Sequence, residues 1–289
     1  MTLETTLIEA GFDKKAAKKL ADDEYFRIRY SNKSSEEILE RINLIAAVYD
    51  IDTDSVRDAI TEHPQFAGYG HQCKVDEIRD VYGWRKEDIK KVVFKFPPFA
   101  GYGHQCKVDE IRDVYGWSKE DIKKVVFEHP QFAGSDHQRK FDEIRDVYGW
   151  SKEDIKKVVF KYPQFAWRDH HQVMRKLSRI GRIVGLDEDT VKEEVMERPV
   201  LAGYSAKRYL AMIDVVMHLR TEGELSDSRA VDLCRSYFSK SPYVPGNYRL
   251  RVTQALKRGN YYEDPPLMVT LRKSMRDSEE KNERRRLVA

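Results

Sequence analysis

Apolar residues recur with a helical period along most of this chain. In one block, Val108, Ile111 and Val114 recur every three residues, and Ile122 and Val126 continue the pattern after a short polar break. Residues three or four positions apart lie on one face of an α-helix, whereas a strand would alternate apolar and polar positions. The pattern therefore predicts two amphipathic helices per block and no sheet.

Turn residues mark where these helices begin and end. Gly116 follows the first helix, where a left-handed residue commonly ends a helix. Ser118 can cap the second helix, and Glu120 and Asp121 favour its positive end. Pro130 cannot continue that helix, because it lacks an N–H group and clashes with the preceding turn. The predicted block is therefore helix, glycine turn, helix, proline and a short third turn.

The block is repeated along the chain. Three near-identical copies of 33 residues occupy 69–101, 102–134 and 135–167, and diverged copies occupy 34–68 and 168–203. One block cannot bury its apolar face alone, but stacked neighbours bury it, and small rotations between them curve the stack. The predicted fold is an all-α superhelical solenoid of tandem helix-turn-helix repeats.

The sequence predicts three segments, and its net charge changes from the start of the chain to its end. Residues 1–33 form an N-terminal helical cap, residues 34–225 form the repeats, and residues 226–289 form a basic helical region with a frayed tail. Residues 1–68 carry 9 Lys and Arg against 14 Asp and Glu, whereas residues 204–289 carry 17 against 11. A chain that is acidic at its start and basic at its end points to a polyanionic partner near the C-terminal part.

The composition fits an elongated intracellular protein. It is 40% hydrophobic and 35% charged, as expected of stacked helices that expose much surface. No stretch approaches the ~20 apolar residues of a membrane span, and the first residues lack a signal or transit peptide pattern. We expect a cytoplasmic, nucleoid-associated prokaryotic protein, or a mitochondrial matrix protein if a transit peptide has been removed.

Basic residues recur near the start of successive first helices. Helix starts present free N–H groups and a positive dipole end, so a lysine there adds to an anion site. A ladder of such sites suits a phosphate backbone, where contacts position a protein without reading sequence. A local net charge of +5 follows in residues 247–276. The candidate nucleic-acid contacts are Lys74, Lys107, Arg139, Lys140, Arg175, Lys176, Lys207, Arg208, Arg249, Arg251, Lys257 and Arg258.

A plainer interpretation of the same lysines is that they are solvated charges. Asp76 and Glu77 and their equivalents stand on the same helices and could pair with them. The second helices carry lysine pairs close to Glu87 and Asp88 and their equivalents, at a spacing that favours ion pairs along one helix. These pairs are interpreted as a solvated face; they are Lys90–Lys91, Lys123–Lys124 and Lys156–Lys157.

Histidines and tryptophans also follow the repeat. His71, His104, His137 and His171 are interpreted as residues at the start of the first helix, because neighbouring repeats are too far apart to share a zinc ion. Trp117 and its equivalents are interpreted as packing at the turn between helices. No Gly-rich phosphate loop and no catalytic constellation stands in the sequence, so we expect no enzymatic activity, no cofactor and no metal.

The unit resembles the mTERF repeat of mitochondrial and chloroplast transcription termination factors and their relatives. The matching features are the Gly-Trp-Ser-Lys-Glu-Asp-Ile turn at 116–122, the Tyr-Ser-Ala-Lys-Arg segment at 204–208, and a proline that closes each second helix. The resemblance covers roughly residues 34–225. The prolines are Pro64, Pro97, Pro130, Pro163 and Pro199.

The resemblance implies a double-stranded nucleic acid held along a positive concave face. We therefore expect a monomeric, non-enzymatic protein that binds double-stranded or branched DNA, with RNA as a further candidate partner. Its role would lie in transcription termination, replication or recombination. The alternative is a protein-interaction solenoid of the tetratricopeptide type, whose period is ~34 residues, binding a peptide or a partner protein.

Overall fold

The computed structural model describes residues 2–183 and 186–203 and thirteen single positions further along the chain. Those positions are 209, 212, 213, 215, 216, 219, 220, 223, 226, 229, 230, 233 and 234. Within the two continuous ranges every regular element is helical and no strand occurs. The all-α class predicted from the sequence is confirmed for this part of the chain.

Thirteen α-helices and five short 3-10 helices follow one another in the described residues. The α-helices are α1 (Leu3–Glu9), α2 (Lys14–Asp22), α3 (Glu24–Tyr30), α4 (Ser35–Tyr49), α5 (Thr53–Glu62), α6 (His71–Tyr82), α7 (Lys86–Lys95), α8 (His104–Tyr115), α9 (Lys119–Glu128), α10 (His137–Tyr148), α11 (Lys152–Lys161), α12 (His170–Ile183) and α13 (Glu188–Glu197). The 3-10 helices are Pro64–Gly68, Pro97–Gly101, Pro130–Gly134, Pro163–Trp167 and Pro199–Gly203.

The elements recur as regular helix-turn units. A first helix, a second helix and a 3-10 helix follow in the same order in each copy of the repeat, as α8, α9 and Pro130–Gly134 illustrate. The short third turn predicted after the proline is this 3-10 helix. The repeating helix-turn architecture predicted from the sequence is therefore confirmed.

Local chemistry sets the ends of these helices. Gly116 ends α8 with φ at 64°, a left-handed conformation that an L side chain disfavours. The Ser118 hydroxyl caps α9 by accepting a hydrogen bond from the Asp121 amide at 3.1 Å. Pro130 stands at the first turn of its 3-10 helix, where its missing N–H group costs nothing.

Each repeat buries its apolar residues between the two helices and the 3-10 helix. Ile111, Val126 and Phe132 are fully buried. Trp117 is also buried and stacks on Tyr115 at a ring-centroid distance of 4.8 Å. Tryptophan therefore packs at the turn between the helices, as predicted.

The first 33 residues form three helices against the first repeat. The Tyr30 hydroxyl donates a hydrogen bond to the Ala67 carbonyl at 3.0 Å. Arg57 Nε on α5 donates to the Ala10 carbonyl at 3.3 Å. These contacts join the N-terminal helices to the first repeat.

The chain divides into two compact units, Met1–Lys140 and Phe141–Ala289, with the boundary inside α10. In the first unit, the first helices α4, α6 and α8 pack side by side, and so do the first three 3-10 helices. Of the predicted C-terminal region 226–289, only five single positions are described. No helix among the described residues has the length and apolar character needed to cross a bilayer.

Replacing Gly83 with Ala should destabilise the protein. Gly83 ends α6 at a φ of 65°, so a Cβ would be strained there, and we expect the free energy of unfolding to fall by about 1 kcal/mol. Gly83→Asn should cost less, because Asn tolerates this conformation. Denaturant unfolding of the full chain measures both.

Gly70→Ala is the matched control. Gly70 has a φ of −77°, and a Cβ added to it would meet no atom within 4 Å. Its substitution should change the free energy of unfolding by less than ~0.5 kcal/mol. Equal losses at the two positions would contradict the argument from backbone conformation.

Candidate nucleic-acid interface

The lysines predicted to contact phosphate on α6 and α8 bind the following repeat. Lys74 Nζ donates to Glu77 Oε2 at 2.7 Å and to the Tyr102 carbonyl at 2.9 Å. Lys107 makes the equivalent bonds, to Glu110 Oε2 at 2.8 Å and to the Ser135 carbonyl at 3.0 Å. Both side chains are about a quarter exposed. These ammonium groups therefore hold neighbouring repeats together.

Arg41 occupies the same position in the first repeat and makes the same type of contact. Its Nε donates to the Ala67 carbonyl at 2.8 Å, and its Nη2 donates to the Tyr69 carbonyl. We call Arg41, Lys74 and Lys107 the inter-repeat cations. Each one binds carbonyls at the C-terminal end of a 3-10 helix, where unpaired carbonyls favour a positive charge.

The carboxylates beside these cations cap the next first helix. Glu77 Oε1 accepts a hydrogen bond from the His104 amide at 2.7 Å, and Glu110 Oε1 accepts one from the His137 amide at 2.7 Å. Gly103, the residue before α8, has no side chain that could do this. In the second unit Glu143 accepts from the His170 amide, also at 2.7 Å. The first helices α8, α10 and α12 are thus each capped by the repeat that precedes them.

The protonation of Glu77 reflects this double role. Partial burial raises the pKa of its carboxyl, but the hydrogen bonds from Lys74 and the His104 amide and the charge of Lys74 lower it by more. The net pKa lies below the ordinary value for glutamate. The carboxylate therefore stays ionised and bridges a lysine and a helix end.

Three other predicted contacts lie on first helices. Arg139 is exposed and pairs with Asp136 at 3.3 Å. Lys140 is half-buried, one repeat on from Lys107. Arg175 is exposed on α12. For these residues, phosphate contact stays a prediction.

Lys176 does not lie in the first turn of its helix, where the sequence pattern placed it. α12 begins at His170, so Lys176 lies in the second turn of the helix, one repeat on from Glu143. Its Nζ donates to the Ala202 carbonyl at 3.1 Å. Burial, together with the nearby charge of Arg168, lowers the pKa of this ammonium group to about 8.

Half of the predicted contacts lie outside the described residues. They are Lys207, Arg208, Arg249, Arg251, Lys257 and Arg258. Their role as phosphate contacts stays a prediction from the sequence. Among the predicted contacts that the structure describes, Lys74 and Lys107 lie in repeat interfaces.

The histidines that begin the first helices are buried. His71, His104, His137 and His170 are each at most 3% exposed. The prediction of His171 as the fourth equivalent was wrong, since α12 begins one residue earlier and His171 is exposed. The doublet of histidines at 170–171 made the alignment ambiguous by one residue.

His71 shows how such a ring is held. Its Nε2 donates to the Phe66 carbonyl at 2.9 Å, because a carbonyl can only accept. Its Nδ1 lies 3.2 Å from the Tyr49 hydroxyl, which donates to it. Both bonds fit the neutral imidazole. Burial lowers the pKa of His71 to about 4, although the Phe66 carbonyl opposes that shift.

In the described repeats, the exposed lysines lie instead on the second helices. The predicted pairing occurs for the first lysine of each pair: Lys90 Nζ lies 2.9 Å from Glu87, and Lys123 Nζ lies 3.9 Å from Glu120. In contrast, Lys91 and Lys124 are exposed and have no carboxylate within salt-bridge distance among the described residues. In each pair, therefore, the first lysine forms an ion pair along its helix and the second faces solvent.

The surroundings of Glu87 show an excess of positive charge on α7. Its carboxyl pKa is lowered by the hydrogen bond and the charge of Lys90, and further by the charges of Lys86 and Lys91. Three ammonium groups therefore surround one carboxylate. Lys86 and its equivalent Lys119, at the start of each second helix, are exposed as well.

Sequence reasoning missed the inter-repeat cap. The available signal was the Lys-x-x-Glu spacing in each first helix, followed 27 residues later by a histidine amide that its own Gly-His sequence cannot cap. Among the described residues no group of three His, Cys, Asp or Glu side chains is arranged to hold a metal ion.

Comparison with known proteins identified no relative of this chain. Neither a protein-family model nor a curated protein sequence matches the chain. The resemblance to the mTERF repeat therefore stays an expectation from the sequence.

Removing the Glu77 carboxylate should weaken the repeat interface. Glu77→Ala leaves the His104 amide uncapped and Lys74 without its carboxylate, so we expect a loss of about 1–2 kcal/mol in the free energy of unfolding. Asp80→Ala, an exposed position on the same helix, should change it by less than ~0.5 kcal/mol. Denaturant unfolding of both variants decides this, and an equal effect would argue against the cap.

Stability should fall on acidification before most carboxylates titrate. The folded pKa of His71, His104 and His137 is about 4, below the unfolded value of about 6.5, so the unfolded chain binds more protons between these values. The contribution of the neutral histidines to the free energy of unfolding is fully present above about pH 6.5. It declines towards about pH 4, by up to about 3 kcal/mol per histidine.

Unfolding midpoints between about pH 7 and about pH 5 measure this decline in a range above the folded carboxylate pKa values. The His71→Ile variant should show a smaller decline, by the contribution of one histidine. Isoleucine fits this site, because Ile38 occupies the equivalent buried position in the first repeat. A midpoint that does not change with pH in this range would show that the histidines are not buried in their neutral form.

Proposed function

We propose that this protein is a non-enzymatic scaffold of helical repeats, stacked as a superhelical solenoid, that binds nucleic acid. The proposed partner is double-stranded or structured DNA, held through its phosphates. By resemblance to the mTERF repeat, the process served would be transcription termination, replication or recombination.

One observation carries the proposal. Lys91 and Lys124 recur at the same exposed position of successive second helices, without a carboxylate within salt-bridge distance in the described residues. Lys86 and Lys119 add an exposed ammonium at the start of the same helices. Repeated ammonium groups on one face are the feature that a phosphate backbone binds.

The proposal differs from the sequence expectation in where contacts are made. The ammonium groups of Lys74 and Lys107 bind carbonyl groups at repeat interfaces. In the first unit, the lysines of the second helices are therefore the better candidates for phosphate contact. Exposed Arg139 and Arg175 and the net positive residues 204–289 remain proposed contributors. Contacts to the phosphate backbone would bind nucleic acids of many sequences with similar affinity.

A protein-interaction scaffold of the tetratricopeptide type is the second candidate. It is favoured by exposed apolar residues on the first repeat, since Leu39 is 37% exposed and Leu44 is 54% exposed on α4. Exposed apolar surface is a feature of protein interaction sites.

The lysine surface gives a direct test of the proposal. Lys91→Gln with Lys124→Gln should weaken binding to a duplex and reduce the dependence of log K on log salt by about 1.8, because each lost phosphate contact removes about 0.9. If the wild type contacts about six to ten phosphates, its affinity should fall by roughly 10³–10⁵ between about 50 and about 200 mM salt. Fluorescence titration with duplex, branched DNA and RNA measures these values.

Arg79→Gln with Arg112→Gln is the matched control. It removes two charges from the same two repeats, but these arginines lie on first helices and pair with Asp76 and Asp109 at 3.0 and 2.7 Å. It should leave binding nearly unchanged. Equal weakening by both variants would mean that net charge alone is sensed, and a flat salt response of the wild type would refute nucleic-acid binding.

A further inference from the structure

Four lysines of α2 form a compact positive surface in the N-terminal cap. Lys14, Lys15, Lys18 and Lys19 are all exposed. Residues four apart are neighbours on a helix surface, so these side chains make two adjacent like-charged pairs within two turns. The overall acidity of residues 1–68 hides this cluster in the sequence.

The α2 lysines are not held in ion pairs as other lysines of the first unit are. Lys33, Lys74 and Lys107 each have a glutamate three or four residues along the chain, at 2.7–2.8 Å. α2 has no acidic residue between Lys14 and Ala21, and none of its lysines forms an ion pair with a described residue.

Asp22 of α2 is exposed and stands four and three residues after Lys18 and Lys19, but it forms no salt bridge with them; the two flanking aspartates cap helices. Asp13 Oδ1 accepts from the Ala16 amide at 2.8 Å, and Asp23 Oδ1 accepts from the Phe26 amide at 2.8 Å. Each therefore caps a helix. The exposed Arg27 and Arg29 of α3 add further charge, so that residues 14–29 carry six Lys and Arg against three Asp and Glu.

This positive surface is separate from the lysines of the second helices. α2 packs against α5, the second helix of the first repeat. α5 exposes Asp54, Asp58 and Glu62, so its own surface is acidic. A polyanion on α2 would consequently meet negative charge, not a continuation of the α7 lysines, along this side.

We infer that α2 is a second, independent contact for the phosphate backbone of a nucleic acid, and this inference extends the proposed function. Unpaired like charges repel one another, and a polyanion relieves that repulsion by binding. The apolar residues of α2 do not point to a membrane, because Ala16, Ala17 and Leu20 are buried against the rest of the cap.

A lipid surface is the competing partner that the experiment has to separate. Ile8 and Ile28, on the flanking helices, are 44% and 74% exposed and could enter a bilayer interface beside the lysines. The two partners share phosphodiester chemistry, but they differ in the need for an apolar anchor. Vesicles therefore form one arm of the test.

The test uses the full chain with Lys14, Lys15, Lys18 and Lys19 each changed to Gln, whose helix propensity is close to that of Lys. The probe is a duplex of about 30 base pairs, long enough to span separate contacts. We expect at least roughly 10-fold weaker binding near 100 mM salt and a salt slope smaller by about 2–4. Unfolding midpoints should match the wild type, since no hydrogen bond is lost.

The comparison with Lys91→Gln/Lys124→Gln separates the two proposals. Weakening by that variant alone would overturn the α2 contact and keep the proposed function. Weakening by the α2 variant alone would keep the α2 contact and remove the second helices from the interface. A wild type that binds no duplex overturns both. Binding to phosphatidylserine vesicles that the α2 changes abolish, with duplex binding unchanged, would assign the surface to lipid and overturn the inference.

Discussion

Three first helices, α8, α10 and α12, begin at an amide that binds a carboxylate from the repeat before it. A helix leaves its first amides without partners, and the Gly-His sequence that begins α8 offers no side chain to satisfy them. Glu77 supplies the acceptor, and Lys74 holds Glu77 while it also binds the Tyr102 carbonyl. One ion pair therefore joins the end of one 3-10 helix to the start of the next first helix. Repeats joined in this way depend on their neighbours for local structure as well as for burial.

A polar ring is buried at the start of α6, and two hydrogen bonds explain how. His71 lies between the Tyr49 hydroxyl and the Phe66 carbonyl, so both ring nitrogens are satisfied while the imidazole is neutral. The ring also packs against Phe66 at a centroid distance of 4.6 Å. Where the first repeat has Ile38 at this position, the site is simply apolar. Burial of the histidine is compatible with stability only while it carries no charge.

Charge that recurs with the repeat therefore has two different uses. On the first helices, Lys74 and Lys107 lie against carbonyl groups of the next repeat, where the helix dipole favours a cation. On the second helices, Lys91 and Lys124 face solvent. Both sets look alike in the sequence, because each is a lysine near a glutamate on an amphipathic helix. Of these two sets, the second leaves its charge exposed to solvent.

The sequence by itself determined the helices, their turns and their repetition, because those depend on local features: apolar spacing, the left-handed glycine after Tyr115, the Ser118 cap and Pro130. It also determined that Trp117 packs at the turn, since a large ring in that position has to be buried. The tertiary structure alone decided which lysines are free. That choice depends on the Tyr102 carbonyl and the His104 amide, which lie 28 and 27 residues from the side chains that bind them. Contacts between repeats are not encoded in the spacing within one repeat, and this is the physical reason why the fold could be predicted and the free surface could not.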